Sequence, residues 1–190
     1  MKFKGLLAAP LVALFVTALS ATPDTLPEGW IRSGSAPDCH TTVKASSGGP
    51  TPKSFVIDCP RGTEGFASIM QSISAKDYAG KRVRLSAQVH GEVEQGWAGL
   101  WMRGDSAFEG AMVFDNMNDR PLKGRLPWQQ ASVVLDLPPT VTRLHFGFLL
   151  EKQGHLEASA FRLELVDASV PVTKTAAQPL PTQPLNLTPQ

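Results

Sequence analysis

The chain has 190 residues, with 18 Lys and Arg against 17 Asp and Glu, a formal net charge of +1 and 42% hydrophobic residues. Near-neutral charge with scattered basic residues lacks the electrostatic footprint of a nucleic-acid binder, so no nucleic-acid partner is expected. The length leaves room for one domain of about 145 residues, which buries roughly 70% of its unfolded surface.

In chain order, Lys2 and Lys4 precede an apolar run from Leu6 to Leu19, and Ala18, Ser20 and Ala21 offer small residues for cleavage. This layout predicts an export signal over residues 1–21. The apolar run is interrupted by Pro10 and falls short of the ~20 residues a span prefers, so no stable membrane insertion is expected. Loss of the signal leaves 16 basic against 17 acidic residues, a net charge of −1. The mature protein is expected in the periplasm or secreted.

Cys39 and Cys59 lie equally far from Gly49, the middle of a Ser-Ser-Gly-Gly-Pro-Thr-Pro stretch. If that stretch is a hairpin loop, the two cysteines oppose one another at a Cα separation of about 5 Å, within disulfide range. Parity agrees, with Cys39, Thr41 and Val43 sharing a face with Phe55, Ile57 and Cys59. A disulfide suits an oxidising compartment. The alternatives are two buried thiols, or metal or nucleophile chemistry through the adjacent His40, for which no further ligand has suitable spacing.

The remaining segments read at period two. Phe66 to Ile73 is a strand, and Ser74 is placed to cap one turn running to Tyr78. Arg82 to His90 alternates cleanly, with Val83, Leu85, Ala87 and Val89 inward and Arg82, Arg84, Ser86, Gln88 and His90 outward. A turn at Gly91–Gly96 then leads to Trp97-Ala98-Gly99-Leu100-Trp101-Met102-Arg103. Here Ala98, Leu100 and Met102 form an apolar face, and Trp97, Gly99, Trp101 and Arg103 form the other. Further strands are expected at Gly110–Asp115, Ser132–Leu137, Leu144–Leu150 and Glu157–Val166, separated by Gly and Pro. After Val170 the composition changes: residues 171–190 hold five prolines and one charge, which predicts a flexible tail. Short strands at regular spacing with turn signals predict an all-β sandwich over residues 27–170.

Two constellations bear on function. Trp97 and Trp101 make an aromatic platform, and Arg103 beside them can donate paired hydrogen bonds to hydroxyls or a carboxylate. The competing reading is a pair of core tryptophans covered by a loop. If the strands on either side of Gly91–Gly96 pair as a hairpin, Trp97 meets His90, and Trp101 approaches Ser86 or Gln88. The second constellation is the loop Asp115-Asn116-Met117-Asn118-Asp119-Arg120-Pro121. Such residues often satisfy only their own backbone, yet Asp115, Asn116, Asp119 and Arg120 also suit a hydroxyl-rich ligand, or calcium without an EF-hand spacing. Gly104-Asp105-Ser106 and Arg103-Gly104-Asp105 are too short to carry a hydrolase or adhesion reading. His145 reads as a surface residue, Glu92 and Glu94 flank a turn, and Trp30 and Trp128 read as packing residues. No phosphate loop, zinc motif or nucleophile elbow occurs. No metal or cofactor is expected, and no converging acid–base pair suggests an enzyme.

Gly29-Trp30, Met70-Gln71-Ser72, Gly80 to Ser86, Gly96 to Arg103, Phe114-Asp115-Asn116-Met117 and Asp119-Arg120-Pro121 together resemble a little-studied bacterial domain, often labelled "transcriptional regulator". The resemblance covers residues 27–170. It implies a jelly-roll β-sandwich of two antiparallel sheets, of the galactose-binding and carbohydrate-binding-module type. Related jelly rolls place paired acids before the last strand to hold a structural calcium, whereas Glu157-Ala158-Ser159-Ala160 carries a single acid here. The expected partner is a saccharide or cell-envelope glycan held at Trp97, Trp101, Arg103, Gln88, His90 and the polar loop. The alternative is a protein partner meeting the same patch in an interaction or sensory module.

Overall fold

The computed structural model describes residues 25–174. The predicted export signal and most of the predicted tail lie outside the described residues. The described residues form nine strands: β1 (Ile31–Gly34), β2 (His40–Ala45), β3 (Lys53–Cys59), β4 (Phe66–Ser74), β5 (Arg82–Ser106), β6 (Gly110–Asp115), β7 (Leu122–Asp136), β8 (Val141–Glu151) and β9 (Gly154–Leu165). All pairings are antiparallel, and the described residues contain no helix. The predicted all-β jelly-roll architecture is the one observed. No helix among the described residues is long and apolar enough to cross a membrane.

The strand β5 organises the molecule. Its first half, Arg82–Val93, pairs with β7 on one side and β9 on the other. Its second half, Trp97–Ser106, pairs with β8, and from Met102 onward also with β6. One layer therefore reads β2-β3-β9-β5-β7 and the other β1-β4-β8-β5-β6. This corrects the expected hairpin: Gly91–Gly96 is a corner within one 25-residue strand, not a turn reversing the chain. The glycines signal a break correctly, but the break is a change of sheet. A Cβ on Gly91 would lie 2.1 Å from the His155 carbonyl oxygen, and its φ of +148° is one that side chains rarely adopt. Strands that switch sheets do so through such bends and bulges. The corner also shifts parity. Val83, Leu85, Ala87, Val89 and Val93 face inward before it, and Ala98, Leu100 and Met102 after it.

The core lies between the layers, where Ile57, Ile69, Leu85, Leu100, Leu135, Leu144, Phe148, Leu150 and Leu156 are fully buried. Trp30 closes one end against Phe55, Phe161 and Phe146, as a packing residue should. Cys39 and Cys59 are joined at a Cα separation of 4.3 Å. The β2–β3 register sets this pair one step beyond His40 and Asp58, with Thr41 opposite Ile57 and Val43 opposite Phe55. The parity inferred from Gly49 is the observed one. Ser74 Oγ accepts the Lys76 N–H, and Tyr78 N–H and Ala79 N–H both reach the Ala75 carbonyl, so the expected single turn is present. β7 begins ten residues before the expected Ser132 and carries Pro127 and Trp128 within it. Proline is tolerated there because β7 is an edge strand and its register against β5 slips at that point.

Candidate functional site

The outer face of the second layer carries the site. Across β5 and β8, Trp97 opposes Glu151, Gly99 opposes Leu149, Trp101 opposes Gly147 and Arg103 opposes His145. On β4 the same rows continue as Phe66, Ser68, Met70 and Ser72, and on β6 Phe114 opposes Arg103. These residues line a groove of about 450 Å³ whose wall includes Trp97, Trp101, Phe66, Phe114, Leu149 and Asn116. Phe66 and Phe114 are large apolar side chains left 38% and 44% exposed. A concave surface with aromatic lining and a few polar groups is the usual make-up of a small-ligand site.

The two tryptophans differ in role. Trp97 is half-buried. Trp101 is only 9% exposed, packs edge-on against Phe114 at 6.5 Å, and donates its indole N–H to Ser68 Oγ at 2.9 Å. Gly147 makes that reach possible, because it stands opposite Trp101 on the intervening strand with no side chain in the way. Trp101 is therefore both an anchored packing residue and part of the groove lining.

Arg103 lines the groove and holds Asp105 through both oxygens, at 2.8 and 2.9 Å. Beyond it, Ser72 Oγ lies 2.7 Å from His145 Nδ1, and His145 Nε2 lies 3.3 Å from Asp105 Oδ2. Burial lowers the His145 pKa, which Asp105 raises and Arg103 and Arg143 lower further, so the ring is neutral at pH 7. The sequence pattern casts His145 as a surface residue and does not connect it with Ser72 and Asp105. The connection needs β8 between β4 and β5, which no local pattern announces.

The loop after β6 closes one rim. A Cβ on Gly99 would meet the Asn116 carbonyl and the Met117 side chain at 3.0 Å, so the loop crosses directly over β5 between the tryptophans. Asn116 faces the groove. Asp115 is completely buried and fully engaged. It accepts the Met117 N–H, two Arg120 guanidinium N–H groups and the Thr173 hydroxyl. Burial alone would raise the Asp115 carboxyl, but Arg120, Met117 and Thr173 outweigh it and hold the pKa below the usual carboxylate range. Asp119 pairs with Arg120 at 2.8 Å. In this structure Asp115, Asp119 and Arg120 hold the loop, and Asn116 is the loop residue turned toward the groove.

Gln88 and His90 stand on the first layer, because β5 turns its corner between them and the tryptophans. His90 stacks on Trp128 at 5.1 Å, and Trp128 donates to the Ser47 carbonyl. Beside them Glu157, 2% exposed, accepts the Ser54 hydroxyl at 2.6 Å and the Ser47 N–H at 3.2 Å. Burial acts to raise the Glu157 pKa, yet those hydrogen bonds and His155 bring it down to about 2. Among the described residues, no group of three or more His, Cys, Asp or Glu is arranged to hold a metal ion.

No family model matches the chain. It is 35% identical over 153 residues to the uncharacterized HTH-type transcriptional regulator YbfP of Bacillus subtilis (strain 168), covering 77% of this chain and 50% of that one. The chain thus spans about half the length of that curated relative. Among solved structures, the enzymatically active domain of bacteriophage CBA120 tailspike protein 4 aligns with a TM-score of 0.59 at 15% identity, over 73% of this chain and 20% of that one. The CBM22-1 xylan-binding domain of Paenibacillus barcinonensis Xyn10C aligns with a TM-score of 0.50 at 13% identity, over 75% and 88%. At such identities the likeness is one of fold. The chain resembles the jelly-roll carbohydrate-binding modules, and its sequence relative carries the regulator label.

Proposed function

We propose that this protein is a non-catalytic saccharide-binding module acting outside the cytoplasm, with Trp97, Trp101, Arg103 and Asn116 at its ligand groove. The observation that carries this reading is the groove itself. Two tryptophans and two exposed phenylalanines line one sheet face, with Arg103 and Glu151 as polar lining groups. Aromatic faces stack on the C–H faces of sugar rings, while Arg103 and Asn116 supply hydrogen bonds to hydroxyls. The fold shared with a xylan-binding domain supports the ligand class. The disulfide supports an oxidising compartment and fits the export signal read from residues 1–21. Gln88 and His90 belong to a separate polar face and are left out of the groove.

A glycan array, followed by calorimetry with xylan and galactan oligosaccharides, tests the reading. Binding that is lost in Trp97→Ala, with the fold retained, supports it. Silence across the array, with a protein captured at the same face and released by Trp97→Ala, would replace the sugar with a protein partner.

A further inference from the structure

The groove differs in charge from one end to the other. Its rows run from Trp97 and Glu151 to Arg103 and His145, six residues or about 20 Å along the strands. One row further on, Asp105 on β5 stands opposite Arg143 on β8, and Ser74 on β4 completes the row. Leu144 between them points into the core, so Arg143 and His145 share the outer face. Arg143 is exposed there.

The charges in these last two rows do not cancel. Asp105 is their one carboxylate, and Arg103 engages both its oxygens through Nε and Nη2. Although Arg143 opposes Asp105 in the register, among the described residues it has no ion-pair or hydrogen-bond partner. Burial, together with Arg103 and Arg143, keeps the His145 ring neutral against the pull of Asp105. Two guanidiniums against one carboxylate leave one positive charge uncompensated. At the opposite end Glu151 lines the groove beside Trp97, and the neighbouring Lys152 is taken by Glu64 at 3.5 Å. An aromatic strip thus joins a negative end to a positive one. Guanidiniums bind carboxylates and sulfate esters through paired, charge-assisted hydrogen bonds, about twice as strong as neutral ones. Arg143 can turn to such a group without giving up a bond it already makes. Glu151 repels the same group and so sets the direction in which the ligand lies.

We propose that the Arg103–Arg143 end of the groove is a subsite for an anionic sugar unit, a ring bearing a carboxylate or a sulfate ester, with Arg143 setting the preference over the neutral counterpart. The inference rests on the saccharide reading above and narrows it to acidic glycans.

Calorimetry on the full chain with matched pairs of oligosaccharides tests this. The pairs are oligogalacturonate against its methyl ester, glucuronate-substituted against plain xylo-oligosaccharide, and sulfated against unsulfated galacto-oligosaccharide. In at least one pair the acidic member should bind about tenfold tighter or more. The pair that shows it tells a carboxylate from a sulfate ester. Added salt should narrow the ratio, because Arg143 is exposed. Arg143→Gln should bring the ratio to within about threefold, while Arg143→Lys keeps most of it. A retained unfolding midpoint shows that the variants are folded. Neutral members that bind as tightly as their acidic partners would overturn the subsite and leave the saccharide reading standing. So would a ratio that survives Arg143→Gln. Silence from every pair and from the glycan array would overturn both.

Discussion

The indole nitrogen of Trp101 and the hydroxyl of Ser68 sit on strands separated by β8, yet they are joined by a 2.9 Å hydrogen bond. The Ser68 hydroxyl in turn donates a hydrogen bond to the Phe148 carbonyl at 2.8 Å. The ring thus lies across the sheet over Gly147 and is fixed at its far end. A Cβ at position 147 would fall 2.2 Å from the Ile69 carbonyl oxygen, so the same glycine that clears the ring also lets β4 and β8 approach.

Binding and stability should separate between the two tryptophans. Trp101→Ala removes a buried, hydrogen-bonded ring and should cost about 3 kcal/mol of stability as well as binding. Trp97→Ala should cost less than about 1.5 kcal/mol while weakening oligosaccharide binding at least tenfold. Urea unfolding alongside calorimetry checks both; a Trp97→Ala chain that binds normally would remove Trp97 from the site.

Asp115→Asn should destabilise the domain by about 3 kcal/mol, because it leaves Arg120 without its buried partner carboxylate. The loss should come with release of the rim, seen as faster amide exchange at Met117 and Arg120. An unchanged unfolding midpoint would show that the loop is held by other contacts.

Acid should act through Glu157. Its folded pKa of about 2 lies below the ordinary value of 4.5, so the stabilisation is fully present above pH 4.5. It is lost as pH falls from about 4.5 toward 2. Linkage gives about 3 kcal/mol over that window, and Glu157→Gln should flatten this part of the profile. An equally steep acid limb in the variant would assign the transition to Asp58 or Asp115, whose carboxyls are also held low.

Reduction of the Cys39–Cys59 bridge should lower stability by about 3 kcal/mol, since the bridge closes a loop of some twenty residues in the unfolded chain. Non-reducing peptide mapping of the native protein, purified without reductant, should recover the linked pair. Two alkylatable thiols in that material would contradict the observed bond.

The legible part of the sequence was local. Alternation marked the inward residues of both halves of β5, and the symmetry of Cys39 and Cys59 about Gly49 marked a hairpin and its disulfide. The illegible part depended on which distant strands become neighbours. A glycine-bounded interval reads as a turn whether the chain reverses or bends into another sheet, so Gln88 and His90 were drawn to the tryptophans they do not face. Phe66 and Phe114 gave little signal, because each lies at the end of an ordinary strand and gains meaning only when β8 is inserted beside β5. The polar loop was recognised as polar, but burial divided its residues, sending Asp115 inward and leaving Asn116 on the groove.

The corner in β5 also governs how the molecule comes apart. One continuous backbone is a central member of both layers, so neither layer can peel away without breaking the ladder that holds the other. The two sheets are expected to melt as a single cooperative unit, with the slowest amide exchange along Leu85–Val89 and Leu100–Met102. Neither half of the sandwich would survive as an independent fragment. The rows joined by β5 are also far apart in sequence, which places assembly among the slower, topology-limited β folds.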